Sequence, residues 1–212
     1  MQRPSESQLE SLKKAVTRYH QALPGSEAEE YLAQRGLAPE RVSNLRFGFV
    51  KDPLPEHAKH EGKLAIPYLR WHPRHGWSAV SMRFRALDDS KPKYASLTGD
   101  KPRLYNTYTL TQPGLEVGIT EGELDAATVT IAGLPTVGVP GATSWQPFWG
   151  ELFKGYSTVY VFADGDEPGE KLARRIAHEL PNARTIHMPK GEDANSMFQQ
   201  LGEEEFTRLW RS

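Results

Sequence analysis

The first part of the chain carries apolar residues at the spacing of amphipathic helices. Leucine, valine and tyrosine recur every three or four positions over residues 5–22, which predicts a first helix. The residues of this apolar face are Leu9, Leu12, Val16 and Tyr19. Ser26 followed by Glu29 is a capping box, and it predicts a second helix that ends near Gln34. Pro39 is expected to begin a short third helix.

From Leu45 onward the pattern changes to that of β-strands. Residues 63–71 and 77–87 are rich in β-branched and aromatic side chains, which predicts two strands. Residues 72–76, between them, contain Pro and Gly and predict a hairpin connection. A second turn is expected over residues 88–92.

From Leu115 the chain alternates apolar runs with amphipathic segments. The expected strands are 115–120, 135–139, 157–163 and 183–188, and the expected helices are 122–132, near 145–153, 168–180 and one or two at the end. This order predicts an α/β fold with a mostly parallel sheet flanked by helices. A short break at residues 113–116 divides it from a smaller α+β lobe, so we expect two domains, 1–113 and 114–212.

Carboxylates follow two of these apolar strands directly. Glu121 ends the first run, with Asp125 one helical turn later, and the sequence Asp164-Gly165-Asp166 ends another. The carboxyl ends of parallel strands meet at one edge of a sheet, so Glu121, Asp164 and Asp166 are expected to cluster. Clustered carboxylates repel one another unless cations neutralise them, and Mg²⁺ and Mn²⁺ prefer such oxygen ligands. Carboxylates at helix starts also stabilise the helix dipole, which is the simpler interpretation of each motif alone.

Composition narrows the possible classes of protein. The chain has 212 residues, a net charge of −1 and no cysteine, which excludes disulfides and cysteine-ligated zinc. It has neither an apolar run long enough to cross a membrane nor an apolar N-terminal signal core, and we expect a cytoplasmic protein.

The near-neutral charge hides a strong asymmetry. Residues 63–103 contain nine lysines and arginines and three acids, whereas residues 104–167 contain eight acids and one lysine. A basic lobe followed by an acidic lobe suits a polyanion that one lobe holds and the other processes with metal ions. Two oppositely charged surfaces that simply attract each other would give the same asymmetry.

These motifs resemble those of a known family. The second lobe resembles the Toprim domain of bacterial-type primases, topoisomerases and some nucleases in Glu121 to Ala126, Gly138 to Ala142, Asp164 to Gly169 and Pro189 to Asp193. The first lobe resembles, in the same order, the RNA-polymerase core of bacterial (DnaG-like) DNA primases in Glu30 to Leu37, Leu64 to Tyr68, Met82-Arg83, Lys91 to Ser96 and Arg103 to Asn106. The similarity extends over residues 19–210.

The resemblance implies a role for each matching residue. Glu121, Asp164 and Asp166 would be catalytic and bind two or more Mg²⁺ or Mn²⁺ ions, with Glu121 also a general base. Asp125 and Asp193 would support the metal or nucleotide region. The basic residues expected at nucleotide and template are Arg83, Lys91, Lys93, Lys101 and Arg103, with Lys93 also catalytic. Aromatic residues among these cations would either stack on bases or form the hairpin core; they are Trp71, Trp77, Phe84 and Tyr94.

The implied reaction is template-directed synthesis of short RNA primers from ribonucleoside triphosphates on single-stranded DNA. Two features depart from the family. Asn195 stands where the last motif usually has a second acid, so it brings an oxygen but no charge. The cysteine-free chain has no zinc ribbon, so we expect no zinc and a replicative helicase or separate template-recognition subunit as partner, in a phage or plasmid system. The alternatives are a Toprim nuclease and a catalytically silent single-strand-binding accessory protein.

Overall fold

A computed structural model describes residues 4–72 and 76–211, with only the backbone of His72. The chain forms two compact units, Met1–Lys101 and Pro102–Ser212. The second unit begins earlier than the boundary expected near residue 113, because Leu104 is buried in its core and the Tyr105 N–H donates to the Gly138 carbonyl at 2.8 Å. Each unit is described by itself.

The first unit packs two helices with an antiparallel sheet of strand order β1-β2-β3-β4. Its elements are α1 (Glu6–Gln21), α2 (Glu27–Gln34), β1 (Gly48–Phe49), β2 (Leu64–His72), β3 (Gly76–Arg85) and β4 (Tyr94–Ser96). Helix α1 begins at a capping box in which the Ser5 hydroxyl accepts the Gln8 N–H and the Gln8 side chain accepts the Ser5 N–H. Its buried face (Leu12, Ala15 and Tyr19) packs with residues of β2 and β3 in the core of this unit.

Most sequence-based elements of this unit are confirmed, with two differences. The helix expected at Pro39 is a turn followed by a single 3₁₀ turn, Ser43–Leu45, and a second 3₁₀ segment spans Pro55–His60. Strands β1 and β4 have two and three residues, too short for a periodic signal. The hairpin connection expected over 72–76 falls partly on residues 73–75, which lie outside the described residues.

The second unit is a four-stranded parallel sheet, order β6-β5-β7-β8, flanked by helices. Its elements are β5 (Glu116–Glu121), α3 (Glu123–Ile131), β6 (Thr136–Val139), β7 (Thr158–Ala163), α4 (Glu167–Glu179), β8 (Ala183–His187) and α5 (Ala194–Arg211). The α/β fold class is thus confirmed. The helix expected near 145–153 is instead a 3₁₀ segment, Pro147–Leu152, and α5 is broken at Gly202, whose φ is 74°.

Strand β7 shows why this sheet is buried on both faces. Val159 and Val161 point into the core that contains Leu172 and Ile176 of α4, while Tyr160 and Phe162 point into the core of α3 and α5. Successive side chains of a strand alternate between faces, so a continuous apolar run fits a sheet with helices on both sides. Among the described residues, none of the helices combines the length and the hydrophobicity that crossing a membrane requires.

A buried histidine in the first unit gives a pH-dependent prediction. The His60 ring stacks on Phe84 at 3.8 Å, and neither ring nitrogen has a hydrogen-bond partner among the described residues. Burial, followed by the charges of Lys59 and Lys63, lowers the pKa of His60 to about 4. The unfolded chain, with a histidine pKa of about 6.5, therefore binds the proton first as pH falls. Stability from neutral His60 is complete above pH 6.5 and is lost between about pH 6.5 and 4.

Replacement His60→Phe keeps the stacked ring and removes this titration. We expect the wild type to lose about 2 kcal/mol more unfolding free energy than the variant between pH 7 and pH 4.5, measured by urea unfolding. The exposed His178→Phe is the matched control, and it should follow the wild type. The same pH dependence in wild type and His60→Phe would contradict the assignment to His60.

Candidate active site at the carboxyl ends of β5 and β7

Acidic residues follow two neighbouring parallel strands at the centre of the second sheet. Strands β5 and β7 pair in parallel, with Ile119 opposite Val161. Two residues further along, β5 ends at Glu121 and β7 ends at Ala163, which Asp164 follows. Glu121 and Asp164 therefore emerge at the same edge of the sheet, as the sequence predicted.

Glu121 is half-buried and holds its carboxylate in a defined orientation. Its Oε1 accepts a hydrogen bond from the Ala142 N–H at 2.9 Å, in the turn that follows β6. Its Oε2 is buried and has no hydrogen-bond partner among the described residues. Burial raises the pKa of Glu121, the hydrogen bond from Ala142 opposes this, and repulsion from Asp166 adds to the rise. The Ala142 N–H was not foreseen, because pairing β5 with β6 brings it to Glu121 from 21 residues away.

Asp164 lies at the electrostatic centre of the acidic cluster. Its Oδ1 is buried with no hydrogen-bond partner among the described residues. Burial raises the pKa of Asp164 to about 9, with further contributions from Asp125, Glu121, Asp193 and Asp166, in that order. Repulsion of this kind requires the carboxylates to be close. Without a cation, Asp164 holds a proton at neutral pH.

Asp166 is exposed and begins helix α4. Its Oδ1 accepts the Gly169 N–H at 2.8 Å, so the side chain is the N-cap of that helix. Its backbone N–H donates to the Asp164 carbonyl at 2.8 Å. The same carboxylate thus caps a helix and contributes to the repulsion that raises the pKa of Asp164.

Glycines allow the backbone segments around Asp164 to approach closely. The Gly165 N–H donates to the Glu192 carbonyl at 2.8 Å, and the Gly191 N–H donates to the Gly165 carbonyl at 2.9 Å. A Cβ on Gly165 would overlap the Pro189 carbonyl oxygen, and one on Gly169 would lie 2.7 Å from the Asp164 carbonyl oxygen. The glycine spacing in this motif is therefore a packing requirement that keeps Asp164 and Asp166 beside the 189–192 loop.

Asp125 and Asp193 are held by helix α5. Asp125 is 9% exposed, and its Oδ1 accepts the Asn195 N–H at 2.9 Å. Asp193 caps α5, since its Oδ1 accepts the Ser196 N–H at 2.7 Å and the Ser196 hydroxyl accepts the Asp193 N–H. Both carboxylates raise the pKa of Asp164, so the structure places both predicted residues in the cluster.

The sequence suggested that Asn195 supplies an uncharged oxygen ligand, but the structure gives its side chain a different role. It is 1% exposed, its Nδ2 donates to the Thr128 hydroxyl at 2.8 Å, and its Oδ1 accepts from Gln199 at 2.9 Å. Asn195 therefore connects α5 to α3. A carboxylate here could not donate to Thr128.

Glu123 was not singled out by sequence reasoning, yet it is fully buried in the first turn of α3. Its closeness in sequence to Glu121 was the available signal, but an acid in a first helical turn usually lies at the surface and stabilises the dipole. The structure adds a buried acid to the same strand–helix junction.

The acidic cluster offers oxygen ligands but not the full coordination sphere of a metal ion. Among residues 4–72 and 76–211, no group of three or more His, Asp or Glu side chains forms a ready metal site. Glu121 Oε2 and Asp164 Oδ1, two buried oxygens with no hydrogen bond to any described residue, nevertheless fit a hard cation. Mg²⁺ is commonly held by one or two carboxylates, with water and substrate phosphates as its remaining ligands. The donor set therefore fits a divalent ion shared with a phosphate.

The basic residues predicted at nucleotide and template are divided between the two units. Arg83, on β3, is half-buried and lies 4.8 Å from the Tyr94 ring centroid. Lys91, Lys93 and Lys101 are exposed in the first unit, and the Lys93 carbonyl accepts the Ala86 N–H. Arg103 belongs to the second unit and is half-buried. Arg83 and the segment that contains Lys93 thus lie together beside β4. Lys101 and Arg103 follow later in the sequence, on either side of the boundary between the units.

Sequence reasoning missed a buried cation beside β4. Arg85 is 5% exposed and donates to the hydroxyls of Tyr31 and Tyr94, with its guanidinium 4.8 Å from the Tyr94 centroid. These contacts fix Tyr94, the residue after Lys93. Of the aromatic residues considered as base-stacking groups, Phe84 is buried core, whereas Trp71 and Trp77 are exposed.

Comparison with known proteins gives relatives for both units. Residues 116–204 match the Toprim domain family. The Gene 57 protein of Mycobacterium phage D29 is 54% identical over 145 residues, which cover 68% of this chain and 95% of that protein. The DNA primase of Haemophilus influenzae is 24% identical, over 93% of this chain and 40% of the primase. The chain thus spans about two fifths of the length of that primase.

Solved structures show the same fold. A DNA primase domain from Pseudomonas aeruginosa has a TM-score of 0.79 and 23% identity, covering 96% of this chain and 78% of that one. A DnaG catalytic core has a TM-score of 0.75 and 22% identity, covering 96% and 79%. A DnaG catalytic domain bound to single-stranded DNA has a TM-score of 0.76 and 21% identity, covering 95% and 79%.

Proposed function

This chain belongs to the family of DnaG-like DNA primase cores with a Toprim domain, and from that premise we propose that it joins ribonucleoside triphosphates into short RNA primers on single-stranded DNA. The proposed reaction requires Mg²⁺ or Mn²⁺. We also propose that it works in the cytoplasm with a replicative helicase or a separate template-recognition subunit. The 54% identity to a phage protein supports a phage replication system.

The observation that carries the proposal is a pair of buried oxygens inside a cluster of acids, Glu121 Oε2 and Asp164 Oδ1, for which the described part of the chain offers no hydrogen-bond donor. A protein that used this cluster only for folding would satisfy these oxygens, because an unpaired buried acceptor is destabilising. Bound Mg²⁺ or Mn²⁺ would neutralise the carboxylates and the charge that develops on the phosphates during nucleotidyl transfer.

We propose a separate role for each acidic residue of the second unit's site. Asp164 and Asp166 would hold the metal ions, whose positive charge would offset the repulsion among the clustered carboxylates. Glu121, oriented by the Ala142 N–H, would help to hold the metal and would accept the proton of the primer 3′-hydroxyl, and its raised pKa makes it a stronger base. The carboxylates of Asp125 and Asp193 accept hydrogen bonds from backbone N–H groups of α5, and they maintain the negative electrostatic potential of the site.

The predicted basic residues are proposed to bind the polyanions of the reaction. Lys93 and Arg83, adjacent to β4, contact the triphosphate, and Tyr94 and Arg85 keep this segment in position. Lys91, Lys101 and Arg103 bind template phosphates. A cation at each phosphate lowers the repulsion between the incoming nucleotide, the primer and the template.

The direct test is synthesis by the full chain on single-stranded DNA with labelled ribonucleotides and Mg²⁺ or Mn²⁺. We expect metal-dependent oligoribonucleotides that are complementary to the template and absent when EDTA is added. Shortened DNA without ribonucleotides would instead support a nuclease. Single-strand binding with no synthesis under either metal would support an accessory protein, and either result would overturn the proposal.

A further inference from the structure

Three side chains link helix α2 to strand β4 by way of strand β3. Arg85 of β3 lies directly opposite Tyr94 of β4 in the antiparallel pair. Its Nε donates to the hydroxyl of Tyr31, on α2, and its Nη1 donates to the hydroxyl of Tyr94. The guanidinium carbon also lies 5.4 Å from the ring centroid of Tyr31 and 4.8 Å from that of Tyr94. Both tyrosines are therefore bound to one buried cation.

Arg85 is buried, yet no carboxylate of residues 4–72 and 76–211 forms an ion pair with it. A buried charge is usually paired with an opposite charge, because the desolvation of an isolated ion is costly. A phenol oxygen accepts a hydrogen bond from a guanidinium but, being neutral, does not cancel its charge. The two tyrosines thus satisfy N–H groups of Arg85 while its positive charge is retained beside β4.

Two more arginines stack on the same rings. Arg83 precedes Arg85 by two positions, so both side chains lie on one face of the sheet, and its guanidinium is 4.8 Å from the Tyr94 centroid. Arg35, which follows the last residue of α2, has its guanidinium 4.9 Å from the Tyr31 centroid. Each ring therefore contacts two guanidinium groups, and cation–π attraction holds them together without removing their charge.

The position of Lys93 depends on these contacts. Lys93 directly precedes Tyr94, and its carbonyl accepts the Ala86 N–H at 3.0 Å, next to Arg85. Strand β4 has only three residues and lies at the edge of the sheet, so few backbone hydrogen bonds hold it. The side-chain contacts of Tyr94 with Arg85 therefore contribute to fixing the segment, and Tyr31 fixes Arg85 in turn.

We propose that Tyr31 is a positioning residue for nucleotide binding: its hydroxyl orients Arg85, which holds Tyr94 and thereby places Lys93 at the triphosphate. A carboxylate in place of the phenol would accept the same hydrogen bond, but it would also neutralise Arg85. Tyrosine leaves the charge of Arg85 to attract the phosphates, and a buried charge is screened little by salt. This inference rests on the proposed function, in which Lys93 and Arg83 contact the triphosphate.

The test is Tyr31→Phe in the full chain, which removes the hydroxyl and keeps the ring. In primer synthesis we expect KM for the ribonucleotide to rise about tenfold and kcat to change less than about threefold, because a hydrogen bond to a charged group is lost while the acidic cluster is unchanged. Affinity for a fluorescent ATP analogue, measured by anisotropy with Mg²⁺ and no template, should fall about as much as KM rises. Tyr156→Phe, which removes a hydroxyl hydrogen bond in the second unit, is the matched control and should keep the wild-type values.

A second variant tests whether Tyr31 acts through Arg85. Arg85→Met removes the charge and both hydrogen bonds, so it should weaken the affinity more than Tyr31→Phe does. Adding Tyr31→Phe to Arg85→Met should cause no further loss, because the group through which Tyr31 acts is already absent. Losses that multiply in the double variant would overturn the proposed link.

Urea unfolding of each variant sets a temperature at which all are folded, and both measurements are made there. A Tyr31→Phe variant that is less stable but keeps the wild-type KM and affinity would overturn the positioning role, since that result shows only a structural one. The two proposals fail differently. Absence of primer synthesis with a Tyr31-dependent nucleotide affinity overturns the primase proposal alone, whereas a wild type that binds no nucleotide overturns both.

Discussion

Replacement Asp164→Asn is expected to reduce primer synthesis by about a thousandfold. The substitution keeps the size of the side chain but removes the charge at the centre of the acidic cluster and replaces a carboxylate whose buried Oδ1 has no hydrogen-bond partner among the described residues. A metal ion supplies several kcal/mol of charge stabilisation to phosphoryl chemistry, and about 4 kcal/mol corresponds to a thousandfold in rate. Synthesis is measured as labelled ribonucleotide incorporated per minute at saturating metal.

The same replacement should not destabilise the metal-free protein. Asp164 has a pKa of about 9 in the folded chain, far above its value when unfolded. Between these values the folded state binds more protons, so its stability is complete below about pH 4 and is lost as pH rises towards 9. Asparagine lacks this titration. In EDTA, urea unfolding of Asp164→Asn should therefore show a weaker loss of stability between pH 5 and pH 9 than the wild type.

The matched control is Glu167→Gln, which also removes one negative charge but lies exposed in the first turn of α4. Glu167 pairs with Lys171 on the surface, and exposed pairs contribute about 0–1 kcal/mol. We expect its synthesis to stay within about twofold of the wild type. Full activity in Asp164→Asn, or an equal loss in both variants, would contradict a specific role for Asp164.

The acidic site could be predicted because short sequence motifs, each an apolar strand followed by acids, define its residues. The apolar runs of β5 and β7 and the acids that follow them are read directly from the sequence, and parallel pairing brings strand ends together. Glu121 and Asp164 accordingly appear at one edge of the sheet. The glycines of the Asp164 motif were also visible, but the contacts that require them were not: Gly165 lies against the 189–192 loop and Gly169 against Asp164.

Other features depend on contacts between residues far apart in sequence. Asn195 binds Asp125 across 70 positions, and Arg85 reaches Tyr31 across 54, so neither partner could be identified from periodicity. A helix was expected near 145–153, but this segment contains Pro147 and Gly150 and forms a 3₁₀ segment whose Trp149 is buried beside Trp145. Short strands such as β4 form only because β3 is available to pair with them.

Replacement Gly165→Ala is expected to lower the unfolding free energy by about 3 kcal/mol and to abolish most primer synthesis. The added methyl group would overlap the Pro189 carbonyl oxygen, and both backbone hydrogen bonds of Gly165 join it to residues 191 and 192. Backbone cannot yield as a flexible side chain does, so the two segments must separate. Separation displaces Asp164 and Asp166 from Asp193, which follows the same loop.

Gly155→Ala is the matched control, because a Cβ at Gly155 meets no atom within 4 Å. Alanine reduces the conformational freedom of the unfolded chain, so the unfolding free energy of Gly155→Ala should be unchanged or slightly higher. Both variants are compared by urea unfolding and then by primer synthesis at a temperature where each is folded. Because the displaced carboxylates lie in the site itself, activity of Gly165→Ala should stay low even there. Wild-type activity in the folded variant would show that the 189–192 loop does not position the acids.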